Sequence, residues 1–134
     1  MIQIVNAVFV GPKGVLLARR NPHRKKHPDC WSFPGGHVEE GESLDDALMR
    51  EVGEELAVRP LTFEPFLRIP DPHAVAEPIT YHMYLVRDWS GTPKIVDAEH
   101  TELRWFSVDE ACRLDDLALE EYVSLFEKLR EMAC

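Results

Sequence analysis

The sequence predicts a single α/β domain over residues 1–134, and three stretches carry that prediction. Residues 3–10 are mostly apolar with β-branched members, Val15 to Arg19 reads as the returning strand, and Gly11-Pro12-Lys13-Gly14 between them is a turn signal, so the chain opens as a β-hairpin. Residues 44–56 set Leu44, Ala47, Leu48 and Val52 at the spacing of one buried helix face. Residues 79–86 read as a strand, with Ile79, Tyr81, Met83 and Leu85 on one side and Thr80, His82, Tyr84 and Val86 on the other.

The remaining elements follow from local signals. Residues 19–27 hold five Lys or Arg, two His and no acid, and Asn21 with Pro22 makes the stretch a loop. Most of these charges suit a solvated surface. Arg19 and Arg20 are the pair suited to holding a phosphate, because guanidinium presents a planar fork of donors. Trp31-Ser32-Phe33 is a short strand running into Pro34-Gly35-Gly36. Ser43 is the expected N-cap of the 44–56 helix, and Asp45 and Asp46 complement its dipole. Residues 58–69 are strand-like, but Pro60 and Pro65 demand an edge position or a bulge. Residues 71–78 are a loop and 90–93 a turn. Strand character returns at 102–106. Ser107 and Asp109 are candidate caps for a short helix over 107–114. Residues 115–132 read as a terminal helix with Leu117, Tyr122, Leu125, Phe126 and Leu129 on its apolar face. His82 and Tyr84 read as packing residues.

Composition narrows the function classes. A formal net charge of −9 argues against binding a nucleic-acid polymer, which needs a basic footprint. No apolar run approaches the roughly 20 residues of a membrane span. The N-terminus lacks the basic region and cleavage site of a signal peptide, and reads as a first strand. Cys30, Cys112 and Cys134 are widely spaced, which fits ordinary thiols in a reducing cytoplasm.

The chemistry concentrates on Glu51, Glu54 and Glu55. Their i,i+3 and i,i+4 spacings put three carboxylates on one helix face, directed largely away from the buried stripe, toward solvent or a cleft. Like charges at that spacing repel, and a hard divalent cation bound through oxygen neutralises them.

This stretch resembles the Nudix box: Gly, five residues, Glu, seven residues, then Arg-Glu-aliphatic-any-Glu-Glu-any-Gly-aliphatic. Gly36, Glu42, Arg50, Glu51, Val52, Glu54, Glu55 and Val58 match in register, and Ala57 stands where the family has glycine. The preceding Trp31-x-Phe33-Pro34-Gly35-Gly36 run is also Nudix-like. Ala57 must take a left-handed conformation, at about 1–2 kcal/mol, or else the helix ends a residue away.

The resemblance implies an α/β/α sandwich with a mixed β-sheet. The implied reaction is Mg²⁺- or Mn²⁺-dependent hydrolysis of a nucleoside diphosphate linked to another moiety. It implies Glu51, Glu54, Glu55 and the Gly36 carbonyl as metal ligands. Glu51, Glu54 and Glu99 are the competing general bases, Glu99 because several relatives carry an extra glutamate before the strand at Trp105. Asp97, His100 and Glu102 compete with Glu99 for that role. Arg50 belongs to the catalytic set, Gly35 supports it, and an ion pair from Glu42 to Arg50 would fix the loop and orient Glu51.

The expected partner is a small nucleotide. A MutT-like (d)NTP pyrophosphohydrolase is the first expectation and an ADP-ribose or nucleotide-sugar pyrophosphatase the second. A non-catalytic nucleotide-binding regulator would carry a degraded box, whereas every charged position is present here. An isoprenoid-diphosphate isomerase would need a longer chain and a catalytic cysteine pattern that Cys30 alone does not supply. Dimers are common among relatives, so a homodimer is one expected state, with no interface legible in the sequence.

Overall fold

The structure is a computed structural model and describes residues 1–132, so Cys134 lies outside the described residues. Its elements in chain order are strands β1 (Ile2–Gly11), β2 (Gly14–Arg20), β3 (Trp31–Ser32) and β4 (Gly35–His37), helix α1 (Leu44–Leu56), strands β5 (Arg59–Pro70), β6 (Ile79–Ser90) and β7 (His100–Phe106), and helices α2 (Val108–Cys112) and α3 (Tyr122–Met132). The sheet runs β3-β2-β1-β6-β5, with β4 on β1 and β7 on β2. The β1–β2 hairpin closes at Val10 opposite Val15 and Gly11 opposite Gly14. β1 pairs parallel with β6 from Ile2–Ile79 to Phe9–Val86, and the other pairings are antiparallel, so the sheet is mixed.

The two faces bury different helices, which makes the α/β/α sandwich. On one side Ala47, Leu48, Val52 and Leu56 of α1 pack against Val5, Ala7, Phe9, Tyr84 and Val86. On the other, Ala111 of α2 and Leu125, Phe126 and Leu129 of α3 pack against Val8, Leu17, Met83, Leu85 and Phe106. β6 therefore splits its side chains between the faces as its alternation requires. Tyr84 packs on the α1 side and donates its hydroxyl to Asp45.

β5 is the edge strand, and its pairing with β6 shifts register near Pro60 and between Pro65 and Leu67. Proline removes a ladder donor at each place, so the strand both lies at the edge and bulges. α1 begins after Ser43, whose hydroxyl accepts from the Asp46 N–H. It ends at Ala57, which is left-handed at φ 57° and ψ 34° and donates its N–H to the Gly53 carbonyl. The alanine Cβ is strained there. Ala57→Gly is expected to stabilise the fold by about 0.5–1 kcal/mol, the relief of left-handed strain less the added chain entropy of glycine. Denaturant unfolding at constant slope checks this, and turnover should not change.

The structure corrects one element. Residues 115–121 are not helical, and α3 starts at Tyr122. The Trp31 N–H donates to the Asp116 carbonyl and the Ala118 N–H donates to the Trp31 carbonyl, so this stretch extends the exposed edge of β3. Those two backbone bonds outweigh local helix propensity. Leu117 thus bridges to Trp31 rather than lying on the helix, while Tyr122, Leu125, Phe126 and Leu129 form the buried face of α3. Ser107 caps α2 in a reciprocal capping box with Glu110, and Asp109 sits in its first turn. Among the described residues, no helix is long and apolar enough to cross a membrane.

Candidate active site

The start of β1 and the end of β2 lie at the same end of the sheet, where β4 occupies the β1 edge. A cleft of about 300 Å³ opens there, and its lining mixes acidic and basic groups. Glu51, Glu55 and Glu99 are the acidic ones, and Arg20, Arg24 and Lys26 the basic ones, with His27 beside them. Ile2, Ile4, Phe33, Ile79, Leu119 and Tyr122 add an apolar surface.

The acidic part of the lining is built where α1 crosses β4. Gly36 lies beneath Glu51: a Cβ on Gly36 would sit within 2.5 and 2.7 Å of the two Glu51 carboxylate oxygens. Gly35 approaches β1 so closely that a Cβ would collide with the Val5 carbonyl oxygen, and its N–H donates to Glu55 Oε2 at 2.8 Å. The spacing directs all three box carboxylates largely away from the buried stripe, toward solvent or a cleft, and Glu55 lines the cleft as a buried group. Glu55 is only 4% exposed. It follows Leu48 and Val52 by seven and three residues, which sets it on the flank of the apolar face.

Burial, with Glu51 beside it, pushes the Glu55 carboxyl up to about 9. Burial also raises Glu51, against the pull of Arg50. Glu54 is largely exposed at the outer edge, with Arg50 Nη1 at 3.4 Å. Arg50 ties the set together. It donates to both Glu42 oxygens at 2.8 and 3.0 Å, to Glu51 at 2.9 Å and to the His37 carbonyl at 3.0 Å. The expected Glu42–Arg50 pair is thus present, and Arg50 pulls the Glu42 carboxyl down to about 2.

A carboxyl lowered on folding stabilises the folded state above its unfolded pKa and loses that contribution as pH falls through the folded value. The stability gap between the unaltered protein and Glu42→Gln should therefore be full above about pH 5 and close as pH falls toward 2. Urea unfolding at stepped pH measures it.

The loop before β7 completes the lining. The Val96 N–H donates to the Glu55 carbonyl, and the Asn21 N–H to the Glu99 carbonyl. Glu99 Oε2 lies 2.9 Å from Arg24 Nη1. His100 is buried, takes Asp97 at 3.1 Å through Nδ1, and is lowered by that burial. Glu55, Asp97 and His100 bring one ligand atom each within 4.8 Å of one another. Among the described residues, no basic side chain pairs with Glu55. A buried carboxylate among other oxygen donors, without a cation of its own, fits a hard divalent metal.

The two candidate phosphate arginines separate. Arg20 faces the cleft, donates through Nε to the Lys26 carbonyl, and is lowered by burial. Arg19 points elsewhere: Asp29 and Asp116 hold it, over the Trp31 ring. Sequence reasoning did not single out Asn6, Arg24, His27 or Tyr122, all of which line the cleft. Only Arg24 and His27 carried a signal, as members of the basic run.

The family model for the NUDIX domain matches residues 2–128. The CTP pyrophosphohydrolase of Escherichia coli is 34% identical over 83% of this chain and 79% of its own length. The 8-oxo-dGTP diphosphatase of Buchnera aphidicola is 33% identical over 61% of this chain and 59% of its own. A MutT NUDIX hydrolase from Burkholderia pseudomallei superposes with a TM-score of 0.82 at 26% identity, over 94% of this chain and 95% of that one.

Proposed function

The chain belongs to the NUDIX family of pyrophosphohydrolases, which act on acid anhydrides, and from that premise we propose that it hydrolyses nucleoside or deoxynucleoside triphosphates to the monophosphate and pyrophosphate. The observation that carries this reading is the cleft that brings the buried Glu55 and its neighbour Glu51 together with Arg20 and an apolar surface. The names of the relatives, a CTP pyrophosphohydrolase and an 8-oxo-dGTP diphosphatase, support a triphosphate substrate.

Glu51, Glu54, Glu55 and the Gly36 carbonyl would hold Mg²⁺ or Mn²⁺, with Asp97 and His100 adjoining. When bound, the cation neutralises phosphoryl charge and lowers the pKa of the attacking water. The chain does the rest. Arg20 holds a phosphate by charge-assisted hydrogen bonds. Arg50 fixes the orientation of Glu51 through its bonds to Glu42 and His37. A carboxylate takes the proton of the water, and Glu51, Glu54 and Glu99 are the candidates for it. The apolar surface receives the base and excludes water from the linkage. Cys30 and Cys112 are free thiols, in keeping with a reducing cytoplasm.

The test is incubation with Mg²⁺ and a panel of NTPs, dNTPs, oxidised dGTP and ADP-ribose, with products identified by mass. Monophosphate plus pyrophosphate is expected. AMP plus ribose phosphate would move the protein to the ADP-ribose class. Binding without cleavage of any compound would make it a regulator.

A further inference from the structure

Asn6 sits in the cleft with a buried acceptor that no described residue satisfies. It lies on β1 opposite Gly35 of β4 and Met83 of β6, and is 6% exposed. Its Nδ2 donates to the Phe33 carbonyl at 3.0 Å. That bond fixes the amide, because the flipped rotamer would set two oxygens face to face. Oδ1 is therefore an acceptor, and no described residue donates to it. Among the described residues, Asn6 Oδ1 and His27 Nε2 are buried with neither a hydrogen-bond nor an ion-pair partner, and both residues line this cleft.

A buried amide oxygen without a donor costs free energy that a native fold rarely carries without reason. The surface around it is apolar and aromatic, from Ile4, Phe33 and Tyr122, and suits a flat heteroaromatic ring better than a sugar or phosphate. The phosphates of a nucleotide belong with the charged groups. What remains is the base, and its N–H edge is the donor that Oδ1 lacks.

We propose that Asn6 reads the base through Oδ1 and selects nucleotides with an exocyclic amine at the ring position farthest from the sugar, cytosine and adenine, against those with a carbonyl there. The inference rests on the nucleotide reading above and deepens it. A carbonyl oxygen facing Oδ1 in a shielded slot is repelled, whereas an amine is bound.

The experiment is calorimetric titration of the whole chain with CMP, UMP and the 2-pyrimidinone nucleotide, which carries hydrogen at C4, alongside turnover of the matching triphosphates. CMP should bind at least about tenfold more tightly than UMP or the 2-pyrimidinone nucleotide. Asn6→Leu should bring CMP and UMP within about threefold of each other, by a loss on CMP. Equal binding of the three nucleotides by the unaltered protein would overturn the proposal without any variant. So would discrimination that survives Asn6→Leu. Binding separates the two readings: selective binding without turnover removes the hydrolase and keeps Asn6, and unselective turnover does the reverse.

Discussion

Glu55→Gln is expected to lower divalent-cation-dependent turnover by about a hundredfold or more, while the metal-free protein unfolds within about 1 kcal/mol of the unaltered chain. The two readouts part company because of where Glu55 lies. The side chain is buried, accepts the Gly35 N–H, and has its carboxyl raised by burial and the neighbouring Glu51. Glutamine has the same shape, and its amide oxygen can keep the Gly35 bond. What it removes is the anionic oxygen proposed to bind the cation. Mn²⁺ should accordingly raise the melting temperature of the unaltered protein and raise that of the variant much less. Full turnover and a full Mn²⁺ shift in the variant would take Glu55 out of the ligand set.

Gly36→Ala is expected to cut turnover by about tenfold to a hundredfold at a stability cost of only about 1–2 kcal/mol. The new methyl group meets the end of the Glu51 side chain, which can swing aside. The fold survives and the carboxylate leaves its place. Gly35→Ala should do the opposite kind of damage. Its methyl group meets the backbone of β1 at Val5 and Asn6, which cannot move without breaking the sheet, so a loss of about 3 kcal/mol or more is expected. Measuring unfolding and kcat for both variants separates a glycine that makes room for the Glu51 carboxylate from one that lets two strands meet.

The parts of the site carried on one helix were legible from sequence. The boundaries of α1 and its Ser43 cap follow from spacing within a short stretch, while the Glu42–Arg50 pair and the left-handed end at Ala57, one of two alternatives there, followed from the resemblance to the Nudix box. The flank position of Glu55 was legible too, had its offsets from Leu48 and Val52 been weighed with the apolar stripe. Strand alternation likewise sets the neighbours Arg19 and Arg20 to opposite sides, though not which side is the cleft. Other features depend on pairings between distant segments. Nothing near Asn6 announces that β6 will lie beside it in parallel, or that β4 will bring Gly35 opposite. Nothing in residues 115–121 reveals that the edge of Trp31 will claim their backbone.

The parallel pairing of β1 with β6 has a consequence in time. Ile2 and Ile79 become neighbours only after the long intervening chain has been gathered in, and closing so large a loop is slow compared with forming the β1–β2 hairpin or α1. The cleft takes walls from both sides of that pairing and from the stretch before α3. A newly made chain can thus hold its helix of carboxylates early and still lack a place for a nucleotide. Recovery of activity during refolding should trail the recovery of helical signal, because hydrolytic competence arrives with the last long-range contact.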